Sequence, residues 1–152
     1  MKLIERTRDD VRAAIAAMPP ETRAYVSAGY LAMLDKSALK DPWVHGFHVL
    51  DDSGRLVGLG GFKGPPVDGM VEIAYAINPD QQRKGHATAA ARALVAYAFH
   101  SPDVRTVWAH TLPDGIASQK VLVKNGFLKT GEIEDPEDGL VWRFEIAKPV
   151  SS

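Results

Sequence analysis

Residues Val71–Phe99 read VEIAYAI, then NPDQQRKGHAT, then AAARALVAYAF. The first segment is apolar and rich in strand formers, and Asn78-Pro79 ends it. The last segment and the residues just before it set Ala87, Ala91, Leu94, Val95 and Ala98 on one helical face, which predicts a helix from about His86 to Phe99. A strand therefore runs through a glycine-containing loop into a helix N-terminus. The first turn of a helix leaves its backbone N–H groups without intrahelical partners, and the helix dipole adds partial positive charge there. Together these make an anion site. Gly85 lets backbone approach a ligand closely, Ala87 keeps the first turn uncluttered, and Arg83 and Lys84 add charge. The loop suits a diphosphate better than a neutral group. It is not a phosphate loop of the GxxxxGK[ST] kind, and it lacks the three spaced glycines of a dinucleotide fingerprint.

Working outward, Val11, Ile15 and Met18 fall at helical spacing before Pro19-Pro20, and a second helix is predicted from Glu21 to about Asp35, with Tyr25, Val26, Tyr30, Leu31 and Leu34 on one broad face. Strand character begins near Trp43 and turns at Asp51–Gly54 into Arg55–Phe62. Beyond the central segment, Val104–Thr111 reads as a strand and Ile116–Lys124 as a helix capped by Asn125-Gly126. Phe127–Ile133 and Leu140–Ala147 form a closing hairpin, with Leu140, Trp142, Phe144 and Ile146 on one face. The clusters Lys63–Gly69 and Glu134–Gly139 read as hairpin turns. Two helices, three strands, helix, strand, helix and two strands describe a mixed α/β sheet covered by helices, not a doubly wound nucleotide fold.

The loop Gln82-Arg-Lys-Gly-His-Ala87 resembles the Q/R-x-x-G-x-G/A motif of the GCN5-related N-acetyltransferase (GNAT) superfamily. A second block, TLPDGIASQKVLVKNGF over Thr111–Phe127, is similar to the T-x-P-x-N-x-A-S-x-x-V-L-x-K-x-G-F pattern of the ribosomal-protein-alanine-acetyltransferase-like branch. The two blocks keep the right order and spacing, and the surrounding elements fit from about residue 43 to 147. The resemblance implies the acyl-CoA N-acyltransferase fold, a mostly antiparallel central sheet with helices on both faces. It implies acetyl-CoA as cosubstrate and acetyl transfer to a primary amine by direct attack in a ternary complex. The diphosphate would rest on the amides from Arg83 to Thr88, with Gln82, Arg83, Lys84, Gly85, His86, Ala87 and Thr88 as binding residues. The pantetheine arm would run along Tyr75–Ile77 like an added strand.

An attacking amine must be neutral, whereas free amines are mostly protonated at neutral pH, so a base within reach is useful. Glu72, an acid in an otherwise apolar strand, is the first candidate. The alternative is that it pairs with a nearby Arg or faces water. Ser118 matches the family serine near the CoA sulfur, and Tyr75 is a second candidate donor to the leaving thiolate. Ser118 could instead satisfy a local backbone group, and Tyr75 could instead be a wall residue. Trp108 and His110 alternate onto one face of their strand and are candidate walls of the acceptor pocket. Two positions depart from the pattern. Gly115 stands where the family has Asn, and Arg83 replaces a small residue.

The 152-residue chain is expected to form one domain over 1–152. It has no cysteine, which excludes disulfides, thiolate metal sites and a cysteine acyl-enzyme, so the reacting thiol is the cofactor's own. His45 and His48, three apart in an expected strand, point to opposite faces and do not form a metal site; no metal is expected. With 18 basic and 19 acidic residues, the chain shows no nucleic-acid or membrane footprint, and no apolar run approaches roughly 18 residues. The charged N-terminus resembles no signal peptide, and a cytoplasmic location is the expectation. The acceptor could be a small-molecule amine or a protein N-terminus. A non-catalytic acyl-CoA-binding regulatory module is the alternative function.

Overall fold

The computed structural model describes residues 1–150. Seven strands form one sheet: β1 (Lys2–Glu5), β2 (Phe47–Leu50), β3 (Leu56–Phe62), β4 (Met70–Ile77), β5 (Thr106–Thr111), β6 (Leu128–Asp135) and β7 (Gly139–Ala147). Their spatial order is β1-β2-β3-β4-β5-β7-β6. All neighbours are antiparallel except β4 and β5, which run parallel. The six helices are α1 (Arg8–Ala16), α2 (Pro20–Arg23), α3 (Ala28–Lys36), α4 (Pro42–His45), α5 (His86–Phe99) and α6 (Ile116–Lys124).

The β4–β5 connection passes through α5, the crossover that parallel strands require. The small, apolar face of α5 lies on the sheet: Ala91, Leu94, Val95 and Ala98 pack with Val71, Ile73, Val107 and Ala109 in the main core. Trp142, Phe144 and Ile146 of β7 join the same core, while Leu140 is partly open to solvent. α1, α3 and α4 surround a satellite core of Val11, Leu34 and Val44.

The predicted helix from Glu21 to Asp35 is two helices. Ser27 accepts a hydrogen bond from the Tyr30 N–H at 3.0 Å and starts α3 afresh. Arg23 ends the preceding segment by donating to the Ala16 and Met18 carbonyls. Tyr25, placed by periodicity on the apolar face, is 91% exposed. Trp43 and His45 likewise sit in a helical turn, not a strand. Asp41 caps the Trp43 N–H at 3.2 Å and Pro42 occupies the first helical position, a start signal for this turn. His45 is buried there: its Nδ1 accepts the Asp41 N–H at 3.0 Å and its Nε2 meets Ser37 Oγ at 2.8 Å. Among the described residues, no group of three or more His, Asp or Glu is placed to hold a metal ion, and no helix is long and apolar enough to cross a membrane.

Candidate active site

The site begins where the sheet comes apart. The parallel ladder of β4 and β5 joins only Met70–Glu72 to Thr106–Trp108. Beyond Glu72 the two strands diverge. The Glu72 carbonyl accepts from Lys63 N–H and the Asn78 N–H donates to the Val57 carbonyl, so the even-numbered residues of β4 spend their backbone groups on β3. Tyr75 and Ile77 therefore turn theirs toward the gap. At the end of β4 the Gln82 side chain closes over the strand, donating from Nε2 to the Ile77 carbonyl at 3.1 Å.

On the α5 side of the gap lies a cleft of about 650 Å³, within the range of small-molecule sites. Its walls are Tyr75 and Ile77 of β4, the loop into α5, and Ala117, Ser118 and Val121 of α6. Two left-handed residues shape the loop: Arg83 at φ 64° and Gly85 at φ 82°. This curl gathers successive N–H groups into a concave donor surface. The cap of α5 has no side-chain hydrogen bond, and the first intrahelical bond is Ala89 N–H to the Gly85 carbonyl. The N–H groups of His86, Ala87 and Thr88 thus remain available. Arg83, His86, Lys120 and Lys124 border the cleft, and no acid does. These residues fit a polyanionic, extended ligand. Lys84 does not border it; its Nζ turns to Gln81 Oε1 at 3.4 Å.

The base of α6 is locked to this arrangement. Its C-terminus closes with Gly126 N–H to the Val123 carbonyl and Phe127 N–H to the Leu122 carbonyl, with Gly126 left-handed. Asn125 reaches across to the Thr88 carbonyl at 3.1 Å, tying α6 to the first turn of α5. At the N-terminus, Gly115 fits tightly, since a Cβ there would come within 3.1 Å of the Leu112 carbonyl oxygen. Gln119 satisfies the Leu112 and Pro113 carbonyls instead, at 3.0 and 3.1 Å.

On the other face of the gap a second cleft, of about 450 Å³, holds Glu72, Trp108 and His110. Tyr75 and Ser118 border both clefts, so the two meet at these residues. Register explains the grouping: Glu72 lies opposite Trp108, and His110 is two residues further along the same face. The Glu72 carboxylate is mostly buried, at 14% exposure, and pairs with Lys63 Nζ at 3.3 Å. The Trp108 and His110 rings pack 4.7 Å apart, and the Arg143 guanidinium lies 4.0 Å over the Trp108 ring. His110 Nε2 is buried without a hydrogen-bond partner. Burial raises the Tyr75 phenol to about 12, so it remains a proton donor throughout the physiological range.

Sequence reasoning missed Lys63, Asp135 and Asp138, which also border this cleft. All three stand in or beside the clusters that read as turns. Hydrogen bonds from the Glu137 and Asp138 N–H groups hold the Asp135 carboxyl below its usual range, and the nearby charges of His110 and Lys63 act the same way.

Known proteins share both the sequence and the shape. The uncharacterized N-acetyltransferase YjdG of Bacillus subtilis is 37% identical over 89 residues, 58% of this chain and 51% of that protein. YnaD of the same organism is 35% identical over 60 residues, 40% of this chain and 35% of that protein. The matched part thus spans about half or less of these relatives. Among solved structures, spermidine N-acetyltransferase SpeG of Vibrio cholerae in complex with CoA and spermine superposes with a TM-score of 0.70 at 18% identity, covering 97% of this chain and 95% of that one. Aminoglycoside acetyltransferase AAC(6')-Ib in complex with coenzyme A gives 0.69 at 20% identity, covering 97% and 94%. At such identities the likeness is one of fold. The model for the acetyltransferase (GNAT) domain matches residues 3–128, most of the chain, which therefore belongs to the GNAT acetyltransferase family.

Proposed function

We propose that this chain is an N-acetyltransferase that moves an acetyl group from acetyl-CoA to a primary amine by direct attack. The observation that carries this reading is the meeting of two unlike clefts at Tyr75 and Ser118, one built as an anion cradle and the other holding a carboxylate. Acetyl-CoA would supply the activated thioester. The amides of His86, Ala87 and Thr88 would receive its diphosphate, and Tyr75 and Ile77 would pair with its pantetheine arm as an added strand. That path delivers the thioester to the gap beside Ser118.

Glu72 then accepts a proton from the amine, directly or through one water, as the new C–N bond forms. The Ile77 amide would donate to the developing oxyanion. When the C–S bond breaks, Ser118 or Tyr75 donates to the sulfur. The finer likeness to the ribosomal-protein-alanine-acetyltransferase-like branch rests on the Thr111–Phe127 block. The solved neighbours bear names of small-molecule amine acetyltransferases. A small amine is the acceptor favoured here, because the cleft that holds Glu72 is about 450 Å³, the size of a small-molecule site.

The test is calorimetry with CoA together with release of free thiol from acetyl-CoA across a panel of amines. CoA binding with turnover of at least one amine is expected. Absence of CoA binding would overturn the reading, and binding without turnover on a broad panel would favour a regulatory acyl-CoA-binding module.

A further inference from the structure

A third cleft, of about 240 Å³, lies on the same face of the sheet as Glu72 but toward β1. Its position follows from register. Ile4 lies opposite His48, His48 opposite Leu59, and Leu59 opposite Ala76, so these four make one cross-strand row. Two residues on from Ile4, just past the end of β1 and on the same face, comes Arg6. Its row continues through Gly46 and Gly61 to Ala74: the Arg6 N–H donates to the Gly46 carbonyl, and Gly61 lies opposite Ala74. Gly46 and Gly61 touch so closely that a Cβ on Gly61 would come within 2.9 Å of the Gly46 Cα. The floor between Arg6 and the reacting edge of β4 is therefore bare backbone, with one methyl at its far end.

Arg6 is the cation at the end of this floor, and it is underused. The guanidinium is half-buried. Nε is buried with no partner, and Nη1 has one long bond, 3.4 Å, to the His45 carbonyl. Among the described residues no carboxylate is within ion-pair distance of it. Asp10, the acid whose charge bears on Arg6, is committed to the α1 cap through Thr7. Burial works against the Arg6 charge, with Tyr30 and Asp10 acting the other way. A guanidinium kept partly dry without a counter-ion is a site awaiting a planar anion, and a carboxylate matches its fork. Arg6 and Ala74 are three strand spacings apart, about 14 Å between backbones. The arginine side chain covers only part of that distance, leaving room for a small molecule.

We propose that Arg6 binds a carboxylate of the acceptor, so that the amine acetylated beside Glu72 and Ser118 belongs to an amino acid or a short peptide-like molecule and not to a simple polyamine. The inference rests on the acetyltransferase reading above. Arg6 fixes the anionic end over Gly46 and Gly61, and the amine end reaches the gap past Ala74. Arg6 acts on binding and selectivity, while proton transfer stays with Glu72.

The test compares acceptors that differ only in the anion: L-amino acids against their C-terminal amides, with spermidine as a cation-only control, each at saturating acetyl-CoA. In the wild-type chain kcat/KM is expected to favour the carboxylates by tenfold or more, mainly through KM. Arg6→Gln should bring that ratio to near one while calorimetric CoA affinity is unchanged, and Arg6→Lys should recover part of it. Amides or spermidine turned over as well as the carboxylates would overturn the proposal. So would an Arg6→Gln chain that melts earlier but keeps the ratio. If Arg6→Gln does not fold, the wild-type ratio decides alone. CoA binding with turnover confined to uncharged or cationic amines sinks this proposal only, whereas absence of CoA binding sinks the acetyltransferase reading with it.

Discussion

The two clefts that meet at Tyr75 and Ser118 are made of different materials. The α5-side cleft is mostly backbone: the turn at Arg83 and Gly85, the open first turn of α5, and the unpaired edge of Tyr75 and Ile77. The opposite cleft is mostly side chain, drawn from β3–β4, β5 and the β6–β7 turn. Backbone devices are contiguous in sequence, so an anion cradle can be written in one motif. Side-chain walls are assembled from distant segments, so the opposite cleft can change residue by residue without disturbing the cradle.

The contrast breaks most sharply at Glu72. Glu72→Gln should lower kcat by about a hundredfold or more at neutral pH, the scale of general-base loss, with CoA affinity unchanged in calorimetry. A kcat within twofold of wild type would remove Glu72 from proton transfer. Gly85→Val should act on the other side alone. No atom would crowd a Cβ at Gly85, so the cost is the left-handed backbone at φ 82°. That strain is about 1–2 kcal/mol, and a tenfold or greater loss of CoA affinity is expected by titration. The residues shared by both clefts are a subtler matter. Ser118→Ala and Tyr75→Phe, compared by single-turnover kinetics, should differ, with the true donor slowing transfer about tenfold and the other nearly silent.

The smallest effect lies outside both clefts. Burial holds the His45 imidazole below its ordinary value, against Asp41, which pulls the other way. The unfolded chain takes up that proton more readily than the folded one. His45 therefore contributes stability that is fully present above a pH of about 6.5 and is lost as pH falls below that value and through the lower folded one. Chemical denaturation between pH 7.5 and 5.5 should show a falling midpoint, and His45→Asn should flatten that fall.

Much of this was legible in the sequence for a physical reason. α5 and α6 match their predicted bounds because local periodicity and caps define both ends: Asn78-Pro79 and Gly85 before α5, and Asn125-Gly126 after α6. The N-terminal third was less legible. Its helices are short, and Ser27 and Asp41 set their starts by side-chain capping that competes with a plausible longer periodicity. Lys63, Asp135 and Arg6 could not be assigned from sequence, because only strand register and hairpin closure bring them to the face that Glu72 occupies. The Gly46–Gly61 approach is equally non-local, being a pairing between β3 and the residue preceding β2.

A sheet that stops pairing in its middle carries a hazard that edge strands ordinarily carry: free N–H and C=O groups can recruit the strand of another molecule and seed aggregation. Here the free edge of β4 lies inside the molecule, facing Ala117, Ser118 and Val121 of α6. Another polypeptide brings side chains on both faces and needs open flanks, and α6 denies it one of them. A thin, flexible chain meets no such barrier. Enclosure by one nine-residue helix therefore lets the protein keep an interior strand edge permanently sticky for its ligand without becoming sticky for its neighbours.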